Sequence, residues 1–248
     1  MQIRWLTAFL DFTPAEFGDE VTFWRAIAGS TVSPPRGAHR EFATLEPFNG
    51  DAHLRVQRIQ EGPGGVHLDL HVDDPHVAAT VACAAGAVTT GDHGDHLTLT
   101  SPGGLPFCLV AWNGSARRSR PIRWPEDTIS IIDQVCMDVP DTRFERELNF
   151  WQHLTGRPAV STSRPELVAL ERDRGLAIGI LLQRLDVGAP DSTTTAHLDL
   201  ATTSVDDEIS RHEGWGATVV ERFEHWTVMR DPAGRRYCIT DRNPRTGE

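Results

Sequence analysis

The chain contains no lysine. All 24 of its basic residues are arginine, set against 35 acidic ones. That bias reflects genome composition more than chemistry, but the resulting formal charge of −11 has a consequence. Nucleic acids and anionic membrane surfaces are bound by clustered positive charge, so neither is an expected partner. The one basic cluster, Arg117, Arg118, Arg120 and Arg123, sits in Pro-, Ser- and Gly-rich sequence and reads as a solvated linker. No apolar run approaches the roughly 18 residues that span a bilayer. The opening stretch to Phe12 is too short for a secretory signal, so a cytoplasmic location is expected. Cys-x-x-Cys spacing is also missing. The four cysteines, Cys83, Cys108, Cys136 and Cys238, fall in helix or strand contexts and read as reduced thiols packed as small hydrophobes. With 248 residues, 39% apolar and 24% charged, the composition is that of a soluble globular protein of one large or two small domains.

What is present is a repeat. His67-Leu68-Asp69-Leu70 recurs as His197-Leu198-Asp199-Leu200, an offset of 197 − 67 = 130. At the same offset Gly86-Ala87 recurs as Gly216-Ala217, and the segment from Ser101 to Cys108 recurs as Asp231 to Cys238. Upstream, Asp11, Phe17, Phe23, Trp24 and Gly29 match Asp138, Phe144, Phe150, Trp151 and Gly156 at an offset of 127. The chain therefore reads as two homologous halves, 1–113 and 128–242, joined by a linker over 114–127 and followed by a tail, 243–248.

Each half divides again by hydrophobic period. Residues 5–12 alternate as a strand buried on one side, and 16–28 have helical spacing. Short strands follow near 39–46 and 52–59. The second quarter opens with a strand at 66–72, and Asp73, Asp74 and Pro75 signal a helix start. Gly86 ends that helix, and strands near 87–90, 95–100 and 106–112 complete the unit. One strand, one helix and three strands, four times over, is the expected plan.

These features resemble the vicinal oxygen chelate superfamily, which includes glyoxalase I, extradiol dioxygenases and bleomycin-resistance proteins. Three of them carry the resemblance: the two His-Leu-Asp-Leu strand starts, the closing motif Asp231-Pro232-Ala233-Gly234-Arg235-Arg236-Tyr237-Cys238 with its partner at 101–108, and the Phe-Trp pair late in each first helix. Val56-Gln57-Arg58 and Leu182-Gln183-Arg184 further resemble the bacterial glyoxalase-like group. The resemblance implies an α+β fold of tandem domains, in which four βαβββ modules form two eight-stranded cupped sheets with helices outside.

Strand alternation assigns the faces. Leu68, Leu70 and Val72 go to the helices, which leaves His67, Asp69 and His71 in the first cup and His197, Asp199 and Ala201 in the second. Cys108 and Cys238 face the cups, as do His96 and Thr98 in one half and Trp226 and Val228 in the other. Thr7 and Gln134 are the matching inward residues of the opening strands. Trp24 and Trp151 read as packing anchors, whereas Trp112 and Trp226 fall on inward faces, where a flat ring suits stacking on an organic ligand. The run Gly91-Asp92-His93-Gly94-Asp95-His96 reads as a hairpin turn before it reads as a metal site.

Metal-dependent relatives draw His, Gln or Glu ligands from fixed strands and close the set with Glu. Carried over, the fifth-strand His is present twice, as His67 and His197. The closing Glu is replaced by Cys108 and Cys238, so the two-His, one-carboxylate set of ring-cleaving iron enzymes is not retained. No conventional metal site is expected, although Gln134, His197 and Cys238 form a softer set acceptable to Zn²⁺. The leading expectation is a binder of a small organic metabolite or drug, monomeric or dimeric, using His67, Asp69, His71, His96, Cys108, Trp112, Gln134, Trp226 and Cys238. The competing expectation is a glyoxalase-type lyase or isomerase, metal-assisted or using His197 as a base oriented by Asp199.

Overall fold

The computed structural model describes residues 2–125, 127–186 and 193–247. Glu126 of the expected linker and Glu248 of the expected tail lie outside them. The first half runs β1 (Ile3–Phe12), α1 (Phe17–Ile27), β2 (Ser30–Val32), β3 (Phe42–Pro47), β4 (Leu54–Arg58), β5 (Gly65–Val72), α2 (Pro75–Ala84), β6 (Val88–Asp92), β7 (His96–Thr100) and β8 (Pro106–Ala111). After a short strand, β9 (Ile122–Arg123), the second half repeats the order. It runs β10 (Ile129–Val139), α3 (Phe144–Thr155), β11 (Ala159–Ser161), β12 (Leu167–Leu170), β13 (Gly179–Arg184), β14 (Thr195–Thr202), α4 (Val205–Glu213), β15 (Thr218–Arg222), β16 (Trp226–Arg230) and β17 (Arg236–Thr240).

Two mixed sheets result, ordered β2-β3-β4-β1-β5-β8-β7-β6 and β11-β12-β13-β10-β14-β17-β16-β15, with β9 added alongside β10. The expected α+β fold of tandem modules is therefore the observed one. Two strands escape the periodicity. β2 is too short for alternation to register, and β9 arises within the segment read as linker, where Arg123 pairs with Ile129. Arg117, Arg120 and Arg123 are nonetheless exposed. Among the described residues no helix is long and apolar enough to cross a membrane.

The compact units of the chain are not the sequence halves. One unit comprises Met1–Ala8, Val66–Arg117 and Val135–Ala196, and the other Phe9–Gly65, Arg118–Gln134 and His197–Glu248. The reason is visible inside each. In the first unit Phe150 and Trp151 of α3 pack edge-on against Phe107 of β8, with ring centroids 5.9 and 5.5 Å apart. The fully buried Glu147 carboxylate accepts from Ser101 Oγ at 2.5 Å, from the Gly103 amide at 2.6 Å and from Trp151 Nε1 at 2.9 Å. In the second unit Phe23 and Trp24 of α1 pack on Tyr237 of β17, at 6.0 and 5.3 Å. There Glu20 accepts from the Ala233 amide at 2.7 Å and Trp24 Nε1 donates to Asp231 at 3.3 Å.

The first helix of each half thus docks on the closing turn and strand of the other. Buried aromatic rings supply the apolar area and the edge-to-face geometry that such pairs prefer. The buried carboxylate satisfies turn amides that would otherwise be orphaned. The Phe-Trp pair and the closing motif, which the sequence shows as separate repeats, are the two sides of one exchanged joint.

Candidate functional site

The first cluster forms where β5, β8 and β7 lie side by side in the first unit. Parallel pairing sets Asp69 opposite Cys108, and antiparallel pairing sets Cys108 opposite Thr98. The next row is His71, Val110 and His96. Directly opposed residues share a face, so Asp69, His71, His96, Thr98 and Cys108 all face one way. Burial agrees: along β7 the residues His96, Thr98 and Thr100 are half-buried while Leu97 and Leu99 between them are buried. His67 Nε2 lies 3.7 Å from Asp69 Oδ1. One donor atom each from His67, Asp69 and Cys108 falls within 4.8 Å of the other two. Burial pushes the Cys108 thiol up, and the His67 imidazole opposes that rise.

The second cluster is its counterpart on β14, β17 and β16 in the second unit. Asp199 opposes Cys238, which opposes Val228, and the next row is Ala201, Thr240 and Trp226. His197 Nε2 stands 3.4 Å from Asp199 Oδ1 and 3.5 Å from Cys238 Sγ. The Gln134 amide donates to Asp199 Oδ2 at 2.7 Å. Burial works against the Asp199 charge, but the His197 imidazole, Arg242 and that amide outweigh it and hold the carboxyl below the usual carboxylate range. Asp199 Oδ1 nevertheless accepts no hydrogen bond among the described residues.

The remaining expected residues divide. His71 is buried at the β1 side of the first cluster, its Nε2 2.9 Å from Thr7 Oγ1, which accounts for its inward position as packing. His96 stacks on His93 across the hairpin, centroids 4.5 Å apart, and Trp226 stacks on Phe223 at 4.6 Å. The two stacks occupy matching positions of the repeat and sit at the ends of equivalent hairpins, closed by His93 N–H to His96 O and Phe223 N–H to Trp226 O. Periodicity marked His96 and Trp226 but gave no signal for their stacking partners, which the hairpin brings over them. Trp112 does not join either cluster. It follows β8, 39% exposed, with its indole N–H on Ser115 O and the Arg4 guanidinium 5.3 Å above its ring. Arg4 is itself tied to Asp73 at 3.0 Å. Of the four free thiols, Cys83 departs from the packed state expected: it is exposed, because α2 turns Ala78, Ala79 and Ala82 to the core instead.

Both imidazoles that define the clusters are reachable, with 10% and 11% of the side chain open at His67 and His197. By contrast His212, held by Glu208 and Tyr237 at 0%, is a structural histidine. A four-coordinate cation with bonds of about 2.0–2.3 Å holds its donors about 3.3–3.8 Å apart. The contacts of 3.4, 3.5 and 3.7 Å around the two Nε2 atoms match that spread. In the first cluster one imidazole, one carboxylate and one thiol converge, and such donors fit a divalent cation that accepts sulfur. They do not form the all-oxygen and nitrogen set suited to manganese or non-haem iron.

The model of the family described as a glyoxalase-like domain matches the chain twice, at residues 7–110 and 134–240. Among curated proteins none matches the chain. Solved structures share its fold at low identity. A Mn(II)-bound glyoxalase from Novosphingobium aromaticivorans superposes with a TM-score of 0.63 at 16% identity, covering 96% of this chain and 81% of that one. The 2,2',3-trihydroxybiphenyl 1,2-dioxygenase of Sphingomonas wittichii RW1 gives 0.63 at 15%, covering 96% and 89%. The homoprotocatechuate 2,3-dioxygenase of Arthrobacter globiformis gives 0.64 at 13%, covering 96% and 79%.

Proposed function

The chain belongs to the glyoxalase-like domain family of the vicinal oxygen chelate superfamily, and from that premise we propose that it binds a small organic molecule on the cup face of its sheets. One observation carries this reading. His96, Thr98, Thr100, Cys108, Val110, Trp226 and Val228, which face the same way as the His-x-Asp strands, stay half-buried, while Leu97, Leu99, Phe107, Leu109, Thr227 and Met229 between them are buried. A sheet face that keeps His96, Thr98 and Cys108, or Trp226 and Val228, partly open has the mix of polar anchors and apolar wall that ligand sites use. The stacked Phe223 and Trp226 rings offer a flat apolar edge to a planar ligand, and the His67 or His197 imidazole offers a hydrogen-bonding end. A cation held by His67, Asp69 and Cys108 would supply a Lewis acid for a ligand oxygen.

The test is a ligand panel of hydroxylated and carbonyl-bearing aromatics, read by intrinsic tryptophan fluorescence. Thr98→Arg and Val228→Arg fill the respective faces. Saturable quenching that one of these variants abolishes, and that Trp226→Phe diminishes if the second face is used, supports the reading. Quenching that never saturates, in any panel member, refutes it.

The 3.4 Å contact between His197 and Asp199 favours a second reading, a lyase or isomerase in which His197 moves a proton and the carboxylate orients it. Under that reading His197→Ala and Asp199→Asn abolish turnover of a bound ligand while its affinity survives. Under simple binding they alter affinity, and no variant turns the ligand over.

A further inference from the structure

We propose that the outer face of α2 is a self-association surface, on which a second copy of the chain lays its own α2 across a two-fold axis. This face lies outside the clusters of the cup, and its role stands without the organic-ligand reading.

Three observations carry it. The first is that α2 is uncharged all round. Its inner side packs Ala78, Ala79 and Ala82 into the core. On its outer side Val77, Thr80, Val81 and Ala84 recur at the i, i+3, i+4 and i+7 spacing of one helix face, and Val77 is 62% exposed. Of the four α-helices among the described residues, α2 alone carries no Asp, Glu or Arg. A surface helix ordinarily turns charged residues outward, and one that lacks them has the composition of a covered helix.

The second is the contrast between the halves. At the offset of 130, Val77 corresponds to Asp207 and Val81 to Arg211. The equivalent helix α4 also carries Asp206 and Glu208, so the fold does not demand a bare helix at this place. The end strands follow suit. β15 finishes on Glu221 and Arg222, whereas β6 leaves Val88, Thr89 and Thr90 exposed and uncharged. Edge strands left to solvent are commonly guarded by charge. Helix and strand form one continuous patch, because Cys83 Sγ of α2 lies 3.4 Å from Thr89 Oγ1 of β6. Charge returns only at the rim, where Asp92 lies 3.9 Å from His76.

The third is electrostatic and selects the occupant. With a formal charge of −11, two copies repel over most of their surfaces. Across a two-fold axis a residue near the axis meets its own copy, so any charge placed there meets its like. A partner of another kind would be steered to an acidic chain by complementary charge, and this face offers none. A face stripped of charge is where the chain can meet itself. One ten-residue helix per copy, with its strand flank, gives a contact at the low end of specific interfaces, below about 1,200 Å², so the dimer dissociates in the micromolar range.

Sedimentation equilibrium of the full chain, from about 1 to 200 µM, reads the association directly. The expected result is a mass that climbs from that of the monomer toward twice that value, with added salt tightening the dimer as it screens the repulsion. V77D, which installs the residue of the second half, and T80E should each raise the dissociation constant at least about tenfold. Both positions are exposed, and circular dichroism with thermal melting checks that each variant is folded. S210E, at the matching position of α4, should leave the dimer unchanged. A chain that stays monomeric to the top of the range overturns the proposal. So does a dimer that V77D and T80E leave intact, that S210E weakens equally, or that loosens with salt.

Discussion

Replacing Glu20 by glutamine should make the protein more stable above pH 8 and leave it almost unchanged near pH 5. Glu20 is 1% exposed, and its carboxyl group meets that of Asp231 inside the second unit. Asp231 accepts from the Arg235 amide at 2.8 Å and from Trp24 Nε1 at 3.3 Å. Arg235 draws both acids down, but its guanidinium is also tied to Glu16 at 2.7 Å. Burial and then the facing Asp231 charge raise Glu20 from 4.5 to about 8, and burial raises Asp231 as well. The pair therefore holds a proton in the native state that the unfolded chain gives up near pH 4.5.

A group whose native pKa is raised contributes stability that is complete below its unfolded value and is lost as the pH climbs through its folded value. At about 1.4 kcal/mol per tenfold change in proton affinity, a rise from 4.5 to about 8 corresponds to at most about 5 kcal/mol lost between those limits. Glutamine keeps the oxygen that accepts from Ala233 and presents an amide donor to Asp231, while removing the titration. Thermal and urea unfolding followed by circular dichroism from pH 5 to 9 measures the difference. At roughly 2–4 °C per kcal/mol for a chain of this size, the variant should melt on the order of 10 °C higher at pH 9. Wild-type stability that is flat or rising from pH 5 to 8, or a variant with the same slope, refutes the reasoning.

The other half supplies the matching perturbation, since Ser101 stands where the second half has Asp231 and donates to Glu147 at 2.5 Å. Ser101→Asp should import the carboxyl pair, so a loss of stability that steepens with rising pH is expected from the same melts. Glu147→Ala leaves Ser101 Oγ, the Gly103 amide and Trp151 Nε1 without their buried acceptor. At about 1–3 kcal/mol per orphaned group, urea titration should show a loss of at least about 3 kcal/mol. A loss below about 1 kcal/mol would mean that Glu147 does not anchor the joint. Asp74→Ala removes the cap that accepts from the His76 and Val77 amides at 2.9 and 3.0 Å, and should cost about 0.5–2 kcal/mol in the same urea titration.

Much of the fold was legible because its cues are local. Alternation over 66–72 gives β5 and its faces, Asp74 followed by Pro75 gives the start of α2, and the recurrence of whole motifs at a fixed offset gives the tandem order. The inward set His67, Asp69, Cys108 and its counterpart follow from strand parity alone. What parity does not carry is distance along the sheet. That Asp69 falls opposite Cys108, and Asp199 opposite Cys238, depends on the register between strands that a helix and a hairpin separate in the chain. Trp112 shows the limit: parity continues inward past Ala111, but the strand has ended there and the ring lies under Arg4.

The sequence by itself determined the two halves, the strand-helix order within them and the residue types on the cup faces, since each is written in nearest-neighbour patterns. Only the tertiary structure decided that Phe150 and Trp151 pack on Phe107, and Phe23 and Trp24 on Tyr237. In a repeated sequence, docking within a half and docking across halves present the same apolar faces and the same turn amides. The choice between them is made by how the chain closes in three dimensions.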